Sequence, residues 1–91
     1  MSDAPIPIPN PQVLFTEIDD GSGVLLHLDT KFYYTLNPTA VAVWKALGEG
    51  VAMDVIAGRL AAEFLVTPEV ARRDVVTVLD DLLAEGLVTA R

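Results

Sequence analysis

The chain contains no cysteine, which excludes disulfides, thiolate zinc sites, iron–sulfur clusters and a cysteine nucleophile. A single histidine, His27, is too few to assemble a histidine metal site or a Ser–His triad within one chain. Positive charge is scarce: six Lys and Arg stand against thirteen Asp and Glu, for a net charge of -7. Neutralising phosphates needs a surplus of Lys and Arg, so nucleic acid is a poor partner. The chain is 52% hydrophobic with a mean hydropathy of +0.43, yet no apolar run reaches the roughly 18 residues that span a bilayer. No basic start followed by an apolar stretch marks a signal peptide. Ninety-one residues suit one small domain with a single apolar core. These absences describe a small, acidic, cytoplasmic domain with no membrane association, and without obvious metal, cofactor or catalytic chemistry.

What is present is ordered along the chain. Ala4-Pro5-Ile6-Pro7-Ile8-Pro9-Asn10-Pro11 places proline at every second position. Proline fixes φ and lacks a donor, so residues 1–12 read as an extended, mobile arm outside any sheet interior. Residues 13–91 read as the folded domain. Val13 to Ile18 is the first expected strand, and Asp19-Asp20-Gly21-Ser22-Gly23 is a loop whose glycines can take positive φ. Val24 to Asp29 follows as a second strand, with Val24, Leu26 and Leu28 on one face and Leu25, His27 and Asp29 on the more polar one. Thr30-Lys31 connects to a third strand, Phe32 to Leu36, in which Phe32, Tyr34 and Leu36 share a face. Short connections imply an antiparallel meander whose first and third strands are edges.

Asn37-Pro38 is an N-cap followed by proline at the first helical position, and predicts a helix from Pro38 to about Gly48. Its apolar stripe is Ala40, Val43, Trp44 and Leu47. A second helix, Met53 to Phe64, carries Ile56, Leu60 and Phe64 at intervals of four. Thr67-Pro68-Glu69 repeats the cap-then-proline start, and the third helix runs to Glu85, with Gly86 placed for a left-handed C-terminal cap. Its core stripe is Ala71, Val75, Val78, Leu79 and Leu82, and Leu87-Val88 can fold back onto the core. The fold class is α+β, a three-stranded antiparallel sheet followed by three helices in a winged helix-turn-helix-like arrangement. That shape alone leaves function open.

Catalysis finds no residues to carry it. His27 has no second His or Cys beside it and reads as an ordinary strand residue. Asp19-Asp20 lacks the alternating oxygen ligands of a calcium loop, and Asp80-Asp81 points two carboxylates about 100° apart around a helix. Gly21 and Gly23 have no following lysine and helix to make a phosphate-binding loop. A DNA-recognition helix is disfavoured as well, because Glu69 to Glu85 holds two Arg against five carboxylates, a net -3 on the element that would approach phosphates. What remains is an interaction surface. The third strand is an open edge able to accept an added peptide strand. On the third helix Asp74, Thr77 and Asp81 lie beyond the Val78 side of the core stripe, where they form either the rim of a groove or an ordinary solvated face.

The runs Leu26-His27-Leu28-Asp29-Thr30, Tyr33-Tyr34-Thr35-Leu36-Asn37-Pro38-Thr39-Ala40 and Val43-Trp44 resemble the PqqD family. So do Ala71-Arg72-Arg73-Asp74-Val75 and Leu79-Asp80-Asp81-Leu82-Leu83-Ala84-Glu85-Gly86-Leu87. The resemblance covers about Val13 to Val88. It implies a RiPP recognition element, a winged-helix peptide chaperone without catalytic activity, in natural product biosynthesis. Such a module binds the leader peptide of a ribosomally synthesised precursor and presents it to modifying enzymes. The leader would lie as an added antiparallel strand, with main-chain pairing at Tyr33, Tyr34 and Thr35 and groove walls from Asp74, Thr77, Val78 and Asp81. The branch serving pyrroloquinoline quinone (PQQ) synthesis implies a radical SAM enzyme as partner. The Leu28-Asp29-Thr30 to Tyr33-Tyr34 segment is more similar to lasso-peptide recognition proteins, which imply a leader peptidase and a cyclase. Many relatives carry glycine before the paired aromatic positions, where this chain has Lys31-Phe32. Two readings from other classes stand beside this one: a winged-helix DNA-binding regulator, and a structural subunit that self-associates as a homodimer through its open edge strand.

Overall fold

The computed structural model describes residues 6–18 and 20–89. Ala4 and Pro5 of the proline run and Asp19 of the hairpin loop lie outside the described residues. Three strands, β2 (Val13–Glu17), β3 (Gly23–His27) and β4 (Tyr33–Leu36), form an antiparallel sheet in the order β2-β3-β4. Three helices follow: α1 (Pro38–Glu49), α2 (Met53–Phe64) and α3 (Pro68–Ala84). A pair of two-residue strands, β1 (Ile8–Pro9) and β5 (Val88–Thr89), joins the two ends of the chain.

The helix ends follow local chemistry. Asn37 Oδ1 accepts a hydrogen bond from the Ala40 amide at 2.8 Å, and Thr67 Oγ1 accepts from the Val70 amide at 3.2 Å. Each satisfies one of the amides that a helix start leaves unpaired, and proline sits next in both cases. Helix α1 stops at Gly50, left-handed at φ +75°, and Gly86 takes φ +71° after α3. Helix α2 stops without glycine: Leu65 adopts φ +56° and is 90% exposed.

The core lies between one sheet face and the helices. Leu25 and Leu36 from the sheet, Val43, Trp44 and Leu47 from α1, Ile56 and Leu60 from α2, and Val75, Leu79 and Leu82 from α3 are all buried. Leu87 and Val88 return after α3 and are also buried. Phe15 tilts against Trp44 with ring centroids 6.4 Å apart. Each such aliphatic side chain contributes about 1.5–3 kcal/mol through burial. Val78 is only half-buried, so the α3 stripe opens on that side.

The two faces of β3 are reversed from the sequence expectation. Gly23, Leu25 and His27 point inward, whereas Val24, Leu26 and Leu28 are half-buried on the outer face. The helices cover one side of the sheet only, and the register puts Leu25 between Phe15 and Tyr34 on that side. Val24 and Leu26 instead join exposed cross-strand rows with Thr16, Leu14, Tyr33 and Thr35. His27 is thus a buried residue, 7% exposed. Its Nδ1 accepts a hydrogen bond from the Asp29 amide at 3.2 Å, bracing the start of the β3–β4 turn. Phe32, expected in the third strand on one face with Tyr34 and Leu36, lies just before β4 and is exposed.

The second half of the proline-rich arm is held on the body rather than standing off it. Ile8 pairs with Thr89 and Pro9 with Val88. The Asn10 amide donates to the Leu87 carbonyl at 3.0 Å, and Asn10 Nδ2 donates to the Gly86 carbonyl at 2.9 Å. Ile6 packs against the core. Proline is tolerated in β1 because the strand is a short edge pair, where a missing donor costs little.

Two glycine substitutions of opposite sign test this fold. A Cβ at Gly23 would sit 2.6 Å from the Phe15 ring and 3.1 Å from Val41 Cγ2, so Gly23→Ala lowers unfolding free energy by about 1–3 kcal/mol in urea titration. Lys31 holds φ +67° in the β3–β4 turn, a region in which a side chain is strained, and Lys31→Gly raises stability by about 0.5–1 kcal/mol.

Candidate functional site

The free edge of β4 follows from the hydrogen-bond alternation of an antiparallel ladder. The His27 amide donates to the Phe32 carbonyl at 3.0 Å, so the main chain of His27 faces the β4 side. Leu28, one residue on, donates the other way, to the Gln12 carbonyl on the β2 side. Alternation with the observed register then turns the main-chain groups of Tyr34 and Leu36 toward β3. Those of Tyr33 and Thr35 face outward, where β4 has no strand neighbour.

Beside that edge runs α3. A groove of about 410 Å³ separates the two, lined from β4 by Tyr34, Thr35 and Leu36 and from α3 by Asp74, Thr77, Val78, Asp81, Leu82 and Glu85. Positions 74, 78, 81, 82 and 85 fall within about 100° of arc on one helical face. Asn37, Thr39 and Ala40 at the start of α1 close one part of the groove, and Leu87 enters from the turn after α3. The floor is apolar, through Leu36, Ala40, Val78, Leu82 and Leu87. The α3 wall is acidic, through Asp74, Asp81 and Glu85.

One contact crosses the groove. The Tyr34 phenol is held above its ordinary range, first by desolvation, then by its hydrogen bond to Glu85 and by the negative charge of that carboxylate. Tyr34 from the middle of β4 and Glu85, the residue that caps α3, thus face each other across the groove.

The residues singled out from sequence divide into distinct roles. Asp74, Thr77, Val78 and Asp81 line the groove together, as do Tyr34 and Thr35. Tyr33 stands apart: the residue is 71% exposed, its side chain is on the outer sheet face with Leu26, and only its main chain belongs to the open edge. Tyr34 does the reverse, giving its side chain to the groove while its main chain serves the ladder with Leu25. Sequence reading missed Glu85, which the four-residue step from Asp81 would have revealed. It also missed Leu87, Asn37 and Thr39, which reach the groove from other elements and have no signal in α3 spacing. Among the described residues, no group of three or more His, Asp or Glu is placed to hold a metal ion.

An open antiparallel edge beside an apolar, helix-walled groove defines a winged-helix module shaped for strand addition. The chain belongs to the PqqD family: the family model described as coenzyme PQQ synthesis protein D matches residues 22–88. Two solved structures share the fold across nearly the whole chain. One, TbiB1 in complex with the TbiA(beta) leader peptide, is 30% identical, with a TM-score of 0.81 over 89% of this chain and 93% of that one. The other, a lasso peptide synthetase B1 complexed with the leader peptide, is 26% identical, with a TM-score of 0.79 over 94% of this chain and 99% of that one. No curated protein matches the chain.

The Tyr34–Glu85 contact has a measurable consequence. Glu85→Gln removes the negative charge that opposes phenolate formation, so the Tyr34 phenol titrates lower than in the parent protein. The desolvation contribution persists and keeps it raised. Ultraviolet absorbance titration reads the change. Because the folded phenol is raised above its unfolded value, its contribution to stability is full below the titration range of an unfolded tyrosine and is lost as pH rises through the raised folded value.

Proposed function

We propose that this protein binds the leader segment of a ribosomally synthesised precursor peptide as an extra antiparallel strand along β4, and presents it to modifying enzymes without itself catalysing a reaction. The observation that carries this reading is the outward row of main-chain groups at Tyr33 and Thr35, set directly beside the groove of about 410 Å³. An incoming strand satisfies those donors and acceptors, and its alternate side chains enter the groove, which is how strand addition separates affinity from specificity. Tyr34, Asp74, Thr77, Val78 and Asp81 then contact the peptide through their side chains, and Tyr33 and Thr35 through their main chain.

Both solved relatives hold leader peptides, which supports the peptide class of the ligand. The lasso peptide synthetase B1 likeness favours, as the enzymes served, a leader peptidase and a cyclase over a radical SAM enzyme.

Leader binding shifts the amide resonances of Tyr33–Leu36 and of Asp74–Asp81 in the ¹⁵N-labelled protein, with small changes elsewhere. Thr35→Pro removes an outward donor without touching the β3–β4 ladder. It weakens binding by about three- to tenfold, the worth of one net hydrogen bond, while circular dichroism stays as in the parent. Unchanged affinity in a folded Thr35→Pro protein would exclude β4 as the docking edge.

A further inference from the structure

The groove has a charge pattern that a general strand-addition site does not require. Asp74, Asp81 and Glu85 stand along its α3 wall, and no Lys, Arg or His lines it. Among the described residues, Lys45, Arg59 and Arg72 are each in an ion pair elsewhere, with Glu17, Glu49 and Asp54. Arg73, next to Asp74, is exposed and does not line the groove. None of the three groove carboxylates takes part in those ion pairs. Glu85 lines the groove opposite Tyr34, and an ionised carboxylate offers two acceptor oxygens.

The spacing of these groups translates into a spacing on the ligand. From Asp74 to Glu85 the helix rises about 16 Å, which an extended peptide covers in about five residues. Alternate residues of a strand paired to β4 point toward α3, so about three groove-facing positions fit this length. Val78 lies midway between Asp74 and Asp81 and belongs to the apolar floor with Leu36 and Leu87, whereas the carboxylates flank both ends.

We propose that the groove selects an extended peptide whose groove-facing positions, two residues apart, carry an apolar side chain flanked by basic ones. This inference rests on the peptide-binding reading above and adds the chemistry of the ligand. The apolar side chain occupies the floor. Lysine or arginine stems run over the remaining apolar surface and bring their charge to Asp74 at one end and to Asp81 and Glu85 at the other. A peptide with carboxylates at those positions meets three like charges and is rejected.

The test uses the full chain and the TbiA(beta) leader peptide as parent probe, with a series of synthetic variants carrying Lys or Glu at each successive position. Affinity is read by fluorescence anisotropy at about 20 mM and about 300 mM salt. Lys binds about three- to tenfold tighter than Glu at alternate positions, as expected for half-exposed charge pairs, and higher salt narrows the gap. In the doubly substituted Asp74→Asn, Asp81→Asn protein, folded as judged by circular dichroism, the Lys–Glu difference collapses. Equal affinity of Lys and Glu variants at every position would overturn the charge selection and leave peptide binding standing. A difference that survives the double substitution would do the same. Absence of binding by the parent and every variant would overturn the peptide-binding reading, and this inference with it.

Discussion

The hydrogen-bonded register between β3 and β4 governs both faces of this molecule. With Leu25 opposite Tyr34, one set of side chains enters the helix core and the other stays on an open sheet face. The same register turns the main-chain groups of Tyr33 and Thr35 away from the sheet. A slip of one residue would exchange all of these at once, exposing Leu25 and closing the outward row. The register is held from several sides. Gly23 lets Phe15 and Val41 approach closely at one end, and the buried His27 braces the turn at the other. Helix α1 begins at Pro38 with only Asn37 between it and Leu36, so β4 cannot wander from its place.

The groove is a product of that constraint and of the α3 direction. Helix α3 buries Ala71, Val75, Leu79 and Leu82, and this choice of face necessarily leaves Asp74, Val78 and Asp81 on the flank toward β4. The charge that argues against a phosphate partner is thereby placed along a channel beside unpaired peptide groups. A winged helix that bound DNA would present a positive recognition helix to solvent. Here the corresponding helix turns an acidic flank toward the sheet edge, and three of the cations in the described residues are engaged in surface ion pairs with Glu17, Glu49 and Asp54.

Much of the fold was legible because its signals are local. Asn37-Pro38 and Thr67-Pro68 start helices through contacts three residues away, and α2 occupies Met53–Phe64 as its periodicity predicts. The α3 flank was legible for the same reason, since helical spacing alone gathers Asp74, Thr77, Val78 and Asp81. The inner face of β3 was not legible. Val24, Leu26 and Leu28 look more apolar than Gly23, Leu25 and His27, but apolarity does not reveal which side of a sheet the helices cover. The tie of Asn10 to Gly86 joins residues 76 apart in the chain, and no local pattern announces it. Leu87 in the groove depends on that same return of the chain end.

By itself, the sequence determined the order of three strands and three helices, the absence of cysteine, and the acidic flank of α3. Each of these follows from composition or from contacts within one or two turns. Only the tertiary structure decided that His27 is buried, that Tyr33 and Tyr34 serve opposite faces, and that the acidic flank borders an open strand edge. These depend on which side of the sheet the helices pack and on which neighbour each strand finds, and both are set by contacts between elements far apart in the chain.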